Sequence, residues 1–454
     1  MAAGKMAEVK LAGITAGRLA PGEYARNFGD LHPPLTLHEA LVEADRCYFC
    51  YDAPCQKACP TSIDIPLFIR EISTGNELGA AQTILNANIM GGMCARVCPT
   101  ETLCEEACVR EHAEGKPVKI GLLQRHATDA LMASGCQPFV RSASTGKKIA
   151  VVGGGPAGLA CAHKLAELGH AVTVYEARAK LSGLNEYGIA AYKTVGDFAQ
   201  KEVDFILGIG GIEVKLKQPL GSKLTLAKLR ASHDAVFLGM GLAGVNKLGL
   251  RGEDKTAGVE DAVEFIATLR QAKSLAKIKV GRRVIVIGGG MTAIDAAVQS
   301  KRLGAQEVTL VYRRGRGQMK ASRYEQELAL SNGVRILTWA MPKSLQASGG
   351  ALKSVTVEKT AEVKGKLAGA GETIKIEADM VLTAIGQIFV TEPLGEGAVR
   401  LKGGRIVVDS ERRTSVKGIW AGGDCSFGGK DLTVSAVEDG KQAALSIDRA
   451  LRGV

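Results

Sequence analysis

Short apolar runs alternate with helical patterns through the C-terminal two-thirds of the chain. Residues 149–152 and 284–287 are continuous apolar runs, and each is followed by a glycine turn and a helical pattern. Such runs are typical of buried parallel strands. The same periodicities predict helices over residues 159–168, 294–303 and 432–450, and strands over residues 171–175, 308–312 and 418–424. Two strand–turn–helix–strand units are therefore predicted.

A different pattern occupies the first third of the chain. Apolar residues at helical spacing predict short helices over residues 36–46, 63–72, 78–87 and 120–131. Residues 1–35 show little periodicity, and we expect them to be extended and to wrap around other elements. Residues 134–147 are rich in Ser, Gly and Lys and predict a linker. A small helical part therefore precedes the α/β part.

Length, charge and apolar content exclude several classes of protein. With 454 residues the chain is too long for one core, which favours two or three domains. The formal net charge is +11, but the basic residues are dispersed, so we expect no nucleic-acid partner. The start does not resemble a signal peptide, and no apolar run is long enough to span a membrane. We therefore expect no membrane association and a reducing, cytoplasmic location.

Eight of the eleven cysteines lie in two groups. Each group contains the phrase Cys-x-x-x-Cys-Pro-Thr, at residues 55–61 and 94–100. Short spacings that end in Cys-Pro are typical of ferredoxin-type chains, in which the Cys-Pro thiolate binds the other of two clusters. We predict two [4Fe–4S] clusters with these ligands: Cys47, Cys50, Cys55, Cys59, Cys94, Cys98, Cys104 and Cys108.

Two other chemistries compete for these cysteines. Disulfides need an oxidising compartment, which the expected location disfavours. Structural zinc usually takes paired Cys-x-x-Cys knuckles, and only Cys47 and Cys50 have that spacing. Iron–sulfur clusters are therefore the favoured interpretation.

The first glycine turn carries a complete dinucleotide-binding fingerprint. Gly153 permits the tight turn, Gly155 lets the backbone approach a pyrophosphate, and Gly158 lets helix and strand pack closely. The positive end of the helix faces the phosphates, and Glu176 follows the second strand, where a carboxylate binds ribose hydroxyls. The predicted contacts are Gly153, Gly155, Pro156, Ala157, Gly158 and Glu176.

The second glycine turn carries a variant of this fingerprint, with Ala293 in place of the third glycine. Its second strand ends in two arginines instead of an acid. Arginines there often hold a 2′-phosphate, which favours NADP(H), but they also stack on adenine or stay in solvent, and both interpretations stay open. The predicted contacts are Gly288, Gly290, Met291, Thr292, Arg313 and Arg314.

The C-terminal strand, turn and helix supply further candidates. Asp424 follows Gly423 and is placed to bond a flavin ribityl hydroxyl, unless it is a simple turn aspartate. The long helix begins beside Thr433, and its positive end would face the flavin pyrimidine ring. Two nucleotide units imply a nicotinamide and FAD, which splits a hydride into the single electrons that clusters accept.

These patterns predict an α/β protein with an N-terminal α-helical double [4Fe–4S] domain followed by two Rossmann-like nucleotide-binding domains. We expect the iron–sulfur domain over residues 1–147 and a discontinuous FAD-binding domain over residues 148–280 plus 385–454. The NAD(P)-binding domain, residues 281–384, is inserted between the two parts of the FAD-binding domain.

The cysteine groups, the glycine run at residues 151–158 and Ala-Gly-Gly-Asp at residues 421–424 occur together in one family. In these motifs the chain after about residue 35 resembles the glutamate synthase small subunits and the N-terminal half of dihydropyrimidine dehydrogenase. Residues 236–246 and 433–443 look more like the pyrimidine enzymes, whereas residues 183–192 and 319–322 depart from the glutamate synthase pattern. The likeness is greatest to the flavin-bearing subunits of bacterial NAD-dependent dihydropyrimidine dehydrogenases.

The resemblance implies an electron-input subunit for pyrimidine degradation. NADH would reduce FAD, and the clusters would deliver electrons to a separate FMN-containing subunit that reduces uracil or thymine to the 5,6-dihydro form. No side chain of this chain need act as an acid or base. The alternative is a glutamate synthase small subunit that feeds electrons from NADPH to a large amidotransferase subunit. NAD(H) is the expected cofactor, and NADP(H) stays open.

The resemblance also changes one cluster ligand. Residues 117–124 resemble the segment in which the mammalian-type pyrimidine enzyme uses a glutamine ligand. If the same ligand is used here, Gln124 takes the place of Cys94 as a cluster ligand, and Cys94 binds no iron. One cluster then takes Cys47, Cys50, Cys55 and Cys108, and the other takes Cys59, Cys98, Cys104 and Gln124.

Overall fold

The computed structural model describes residues 13–395 and 397–453, and contacts divide them into two compact units. The larger unit comprises residues 30–186, 193–244, 387–395 and 397–453. The smaller unit comprises residues 13–29, 187–192 and 245–386. Each unit therefore combines stretches that are far apart in the chain.

The helices and strands are named in chain order. The α-helices are α1 (Pro21–Asn27), α2 (Leu37–Ala44), α3 (Pro54–Ala58), α4 (Ile65–Ser73), α5 (Glu77–Ala87), α6 (Gly91–Val97), α7 (Val109–Glu114), α8 (Ile120–Ser134), α9 (Pro156–Glu167), α10 (Leu184–Tyr187), α11 (Phe198–Leu207), α12 (Leu226–Ser232), α13 (Ala262–Gln271), α14 (Met291–Arg302), α15 (Arg323–Ser331) and α16 (Thr433–Arg452). The strands are β1 (Ile14–Thr15), β2 (Lys148–Val152), β3 (Ala171–Tyr175), β4 (Ile212–Lys215), β5 (Ala235–Leu238), β6 (Gly244–Val245), β7 (Val259–Asp261), β8 (Val280–Gly281), β9 (Arg283–Gly288), β10 (Glu307–Val311), β11 (Arg335–Leu337), β12 (Ala340–Ser348), β13 (Ala351–Val363), β14 (Lys366–Glu377), β15 (Met380–Ala384), β16 (Gln387–Ile388), β17 (Leu401–Lys402), β18 (Arg405–Ile406) and β19 (Ile419–Ala421).

A parallel five-stranded sheet forms the core of the α/β part of the larger unit. Its strand order is β19-β5-β2-β3-β4, so the central strand β2 pairs with β3 and β5. The sequence favours this arrangement because β2 and β5 are almost wholly apolar and buried. The carboxyl end of β2, where the glycine turn begins, therefore lies at the edge of the sheet where ligands bind in such folds.

Helices α2–α8 form the helical part of the larger unit around a buried apolar core. Phe68, Ile72, Ile84, Met93 and Leu123 are all fully buried there. Glu202 of α11 joins this core to the α/β part, because its Oε1 accepts a hydrogen bond from the Met93 backbone N–H at 2.9 Å. Contacts within the larger unit therefore hold α6, which contains Cys94 and ends next to Cys98, against α11.

The smaller unit is built on a second parallel sheet. Its strand order is β11-β10-β9-β15-β7, and β9 pairs with β10 and β15. A separate antiparallel sheet of β12, β13 and β14 follows, and β1 pairs with β8. The predicted α/β class with parallel sheets is therefore confirmed in both units.

One expectation for the N-terminal segment is wrong. Residues 1–35 were expected to be extended, but α1 is a helix, started by Pro21 in its first turn and by Glu23, whose carboxylate accepts from the Ala20 N–H at 2.8 Å. The part of that expectation for residues 1–12 lies outside the described residues.

The predicted domain boundaries stay predictions. In the described ranges, no helix is long and apolar enough to cross a membrane.

Candidate cluster and nucleotide sites

Four cysteines line a first cavity in the helical part, here called cavity 1. They are Cys47, Cys50, Cys55 and Cys108. Cys55 lies in the first turn of α3, and Cys108 immediately precedes α7. Apolar side chains, among them Ile65 and Ile69, complete the wall, and the volume is about 370 Å³ including solvent at the mouth. Cavity 1 thus contains all four members of one predicted ligand set.

Cavity 2 is of similar size, about 380 Å³, and has five candidate donors. They are Cys59, Cys94, Cys98, Cys104 and Gln124. Val434, in the first turn of α16, also lines this cavity. The second predicted ligand set therefore shares one cavity with Cys94, and the wall of that cavity includes a residue of the long C-terminal helix.

The short helix α3 separates two neighbouring cysteines into different cavities. Cys55 and Cys59 are four residues apart, which is about 6 Å along a helix. Cys59 ends α3 in an extended conformation, with φ −76° and ψ 121°, and Pro60 follows it. Cys98 ends α6 in a similar way and is followed by Pro99. The Cys-Pro step therefore turns the chain out of a helix at each cysteine.

Gln124 and Cys94 are both candidates for the last position in cavity 2. The Gln124 Nε2 atom donates a hydrogen bond to the Gly91 carbonyl oxygen at 2.6 Å, which leaves the side-chain carbonyl oxygen as the candidate ligand atom. Cys94 is 2% exposed. The choice of Gln124 over Cys94 stays a prediction.

Burial keeps several of these thiols protonated in the absence of metal. It raises the pKa of Cys55 to about 12 and raises the pKa of Cys47 and of Cys104 as well. The pKa of Cys98 is raised first by its hydrogen bond with Cys94 and then by burial. Because metals bind thiolates, loading of the cavities would release protons.

The donors suit a cluster with several metal corners. Among the described residues, no group of three or more His, Cys, Asp or Glu side chains is arranged to hold a metal ion. The thiols line two separate cavities, each with at least the four donors that a [4Fe–4S] cluster needs. The cavities therefore fit the predicted group.

The glycine turn after β2 forms an open cradle. Gly153 has φ +99°, and a Cβ there would overlap the Gly239 carbonyl oxygen. A Cβ on Gly158 would overlap the Gly153 carbonyl oxygen, whereas one on Gly155 would meet only Gly183, 3.8 Å away. Pro156 and Ala157 begin α9, whose N-terminus faces the turn. The backbone at Gly155 is therefore open to close approach, which the predicted pyrophosphate contact requires.

Glu176 is buried beside this cradle. Its Oε2 accepts a hydrogen bond from the Gly154 N–H at 2.8 Å, and its Oε1 accepts from the Arg178 N–H at 2.7 Å. Besides its predicted contact with a ribose, the carboxylate thus holds the glycine turn in place.

The C-terminal candidates lie around the start of α16. Gly423 has φ +73°, and its N–H donates to Asp439 Oδ2 at 2.8 Å, while Arg412 pairs with Asp439 Oδ1 at 2.6 Å. The Thr433 hydroxyl donates to Asn185 Oδ1 at 2.7 Å. Burial, with Asp431 nearby, raises the pKa of Asp424 to about 7. Neither Asp439 nor Asn185 was predicted from the sequence to belong to this site.

The glycine turn of the smaller unit is built in the same way. Gly288 has φ +151°, and a Cβ there would overlap the Ala384 carbonyl oxygen. A Cβ on Gly290 would meet no other atom within 4 Å, and this residue caps α14, which begins with Met291 and Thr292. The backbone at Gly290 is therefore open to close approach, which the predicted contact with a second dinucleotide requires.

Arg313 and Arg314 follow β10, as predicted. Arg313 is exposed and Arg314 is half-buried. Their backbone carbonyls are bonded, since the Thr360 hydroxyl donates to Arg313 and the Trp339 N–H donates to Arg314. Both guanidinium groups lie without a carboxylate partner within the described ranges.

Residues 187–192, for which the sequence predicted no contact, pack against α14. In the smaller unit the Ala190 N–H donates to Asp295 at 3.3 Å, and the Ala191 N–H donates to Gln299 at 3.0 Å. Arg302 lies over the Tyr192 ring, 3.9 Å from its centroid. Residues 187–192 are therefore held on the helix that follows the second glycine turn.

Comparisons with known proteins agree with this geometry. A family model described as pyridine nucleotide-disulphide oxidoreductase matches residues 147–440. A model described as dihydropyrimidine dehydrogenase domain II, 4Fe-4S cluster, matches residues 24–136. The fold and sites thus define an FAD- and NAD(P)-dependent oxidoreductase with an iron–sulfur module. The chain belongs to the pyridine nucleotide-disulphide oxidoreductase family, and the predicted enzyme class is confirmed.

Individual relatives extend over most of the chain. The NAD-dependent dihydropyrimidine dehydrogenase subunit PreT homolog of Salmonella typhi is 34% identical over 93% of this chain and 97% of that protein. The glutamate synthase (NADPH) small chain of Escherichia coli K12 is 33% identical over 92% of each protein. A T. acidophilum thioredoxin reductase, 22% identical, has a TM-score of 0.53 over 66% of this chain and 98% of that chain, a likeness of fold alone. The resemblance predicted from the sequence is confirmed.

Proposed function

We propose that the chain is the electron-input subunit of a cytoplasmic, two-subunit dihydropyrimidine dehydrogenase. It takes a hydride from NADH and delivers single electrons to a partner subunit that carries FMN and reduces uracil or thymine to the 5,6-dihydro form. The observation that carries the proposal is the wall of cavity 2, to which Val434 of α16 contributes. A candidate cluster cavity and the helix predicted to face the flavin therefore share a residue.

The larger unit supplies the binding residues in this proposal. The glycine turn at residues 153–158, Glu176, Gly423, Asp424 and Thr433 hold FAD, and the two cavities hold the clusters. FAD, when bound, converts a two-electron donor into a source of single electrons. Because burial raises the pKa of Asp424 to about 7, its carboxyl can donate as well as accept a hydrogen bond to a ribityl hydroxyl at neutral pH.

The smaller unit binds the nicotinamide cofactor in this proposal. Gly288, Gly290, Met291 and Thr292 form the pyrophosphate cradle. We propose NADH because PreT proteins, at 34% identity, are named as NAD-dependent. Arg313 and Arg314 favour the alternative, NADPH, because both guanidinium groups lie without a carboxylate partner in the described part of the chain.

A glutamate synthase small subunit is the second candidate. The 33% identity to a glutamate synthase small chain that is named for NADPH supports it, together with the two arginines. The two functions differ in the partner, because one requires an FMN protein for pyrimidines and the other a large amidotransferase.

The decisive experiment measures NADH oxidation by the anaerobically purified chain. We expect rapid reduction of ferricyanide by the chain alone, no reduction of uracil by the chain alone, and reduction of uracil when the FMN subunit is added. NADPH in place of NADH is expected to be at least tenfold less effective. Uracil reduction without the partner would contradict the division of labour. Glutamate formation with a glutamate synthase large subunit, and none of dihydrouracil with the FMN subunit, would favour the second candidate.

A further inference from the structure

We propose that electrons leave the chain through a surface patch around cavity 1, and that this patch docks a protein with a basic surface around its electron-accepting cofactor. The patch, here called the exit patch, consists of Tyr48, Tyr51, Leu67 and Val109. The proposal rests on the proposed function in one respect, that the chain donates single electrons, and it adds where they leave and what kind of surface receives them.

The exit patch is apolar, exposed and next to the thiols. Tyr48 and Val109 line cavity 1 and are 56% and 37% exposed. Leu67, 43% exposed, follows Pro66, which also lines the cavity. Tyr51, fully exposed, follows Cys50 directly. Exposed apolar side chains gathered around one cavity mark interaction sites more often than ordinary solvated surface.

Arginines stack on one aromatic ring of the exit patch, that of Tyr48, and on the ring of the neighbouring Phe49. The Arg110 guanidinium lies 4.1 Å from the centroid of the Tyr48 ring, and that of Arg70 lies 4.3 Å from the centroid of the Phe49 ring. Tyr and Arg are enriched in the cores of protein–protein interfaces. Because stacking restricts these side chains before a partner arrives, docking would cost less conformational entropy.

The position of the two cavities gives the direction of transfer. Cavity 2 is lined in part by Val434 of the α/β part, whereas every residue that lines cavity 1 comes from residues 47–120. Cys55 and Cys59 connect the cavities through α3, about 6 Å apart along the helix. Electrons that start in the α/β part therefore reach cavity 2 first and cavity 1 last.

The charge of the helical part indicates the charge of the partner. Residues 24–136 contain fourteen acidic and nine basic residues, although the whole chain has a formal net charge of +11. Asp52, next to Tyr51, has a side chain 80% exposed, and its ion pair with Lys57, at 3.9 Å, is too exposed to neutralise it firmly. A basic partner surface would complement this part of the chain and would be steered to it at low salt.

Cytochrome c, a basic protein with a one-electron haem, is the probe for this proposal. NADH reduces two ferric haems to ferrous haems and yields NAD⁺ and one proton. We expect Tyr51→Ser/Leu67→Ser to lower the second-order rate constant for cytochrome c about tenfold. Ferricyanide, which needs no docking surface, should react within about twofold of wild type. Leu216→Ser is the matched control, because Leu216 is 41% exposed but lines neither cavity.

Charge reversal gives a second, independent variant. Asp52→Lys is expected to lower the cytochrome c rate at low salt several-fold and to weaken its salt dependence. Asp254→Lys carries the same change on another exposed surface and should leave the rate unchanged. Superoxide dismutase is present throughout, and iron content confirms that each variant retains its clusters.

Unchanged cytochrome c rates in both variants would overturn the proposal, and so would an equal loss in the two controls. Because this assay contains no pyrimidine and no FMN subunit, it separates the patch from the proposed function. Rates that fall as expected, with no uracil reduction by any reconstituted pair, would retain the exit patch and reject the pyrimidine assignment.

Discussion

The amide of Gln124 is oriented within the protein itself, because its nitrogen donates to the Gly91 carbonyl at 2.6 Å. Cys94 lines the same cavity from α6. One cavity thus contains two candidates, a neutral amide oxygen and a thiol, for the one ligand position that the prediction leaves open. A thiolate brings one more negative charge than an amide, and cluster charge is one of the terms that set the reduction potential.

Substitution of these two residues separates the alternatives. Cys94→Ala is expected to retain about eight irons per chain and an unchanged electron paramagnetic resonance spectrum. Gln124→Ala should retain iron but lower the potential of one cluster, because Cys94 can replace the amide. The double variant should lose one cluster. Cys136→Ala, at an exposed cysteine away from both cavities, is the control. Loss of a cluster in Cys94→Ala alone would assign Cys94 as the ligand.

At the scale of elements, α6 depends on contacts from outside itself. It has seven residues, too few for a stable isolated helix. Glu202 of α11 accepts a hydrogen bond from the Met93 N–H in the first turn of α6. Arg96 lies 3.4 Å from the Phe198 ring centroid and pairs with Asp129 at 2.7 Å. The position of this helix in cavity 2 is therefore set partly by the α/β part.

Glu202 makes the stability of this contact depend on pH. Burial, only partly offset by the Met93 N–H and Arg96, raises its pKa from 4.5 to about 8. The folded protein therefore keeps a proton that the unfolded chain loses. The contribution of Glu202 to the free energy of unfolding is complete below about pH 4.5, and it is lost as the pH rises through about 8.

The melting temperature should show this effect. Between pH 6 and pH 9 we expect the wild-type protein to lose several degrees more than Glu202→Gln, which cannot ionise. Glu307→Gln, at an exposed position, should follow the wild type. Equal losses in the wild type and in Glu202→Gln would show that Glu202 is already ionised in the folded protein.

The sequence predicted elements whose residues interact locally. The strand, glycine turn and helix around Gly153 were predicted because each residue type there satisfies a local backbone requirement. Asp439, which binds the Gly423 N–H, could not be recognised, because its partner lies sixteen residues away and its burial depends on the packing of α16. The antiparallel sheet of β12–β14 was missed because β12 and β14 are largely exposed, and the apolar face of β13 is buried only by packing in the folded chain.

At the scale of the whole molecule, the proposed electron path passes through the two cavities in series. The residues of cavity 1 all belong to the helical part, and cavity 2 adds one residue of the α/β part. A chain with one cluster missing should therefore fail to deliver electrons from the exit patch, even though the other cluster remains.

Two pairs of substitutions test this arrangement. Cys50→Ser/Cys55→Ser in cavity 1 and Cys98→Ser/Cys104→Ser in cavity 2 should each remove about four irons and reduce the cytochrome c rate more than twentyfold. Flavin content and ferricyanide reduction should stay within about threefold of wild type. A loss of only half the cytochrome c rate in each variant would instead indicate two independent routes.

Residues 187–192 belong by their contacts to the smaller unit, although the chain on both sides of them belongs to the larger one. A gene fragment that encodes residues 245–386 alone would therefore lack the strip of backbone that Asp295 and Gln299 bind. Each buried polar group deprived of its partner costs about 1–3 kcal/mol. Such a truncated product should be poorly soluble unless a peptide covering residues 187–192 is supplied with it or grafted onto it. Recombination between related genes should likewise succeed only where this strip and α14 are inherited together.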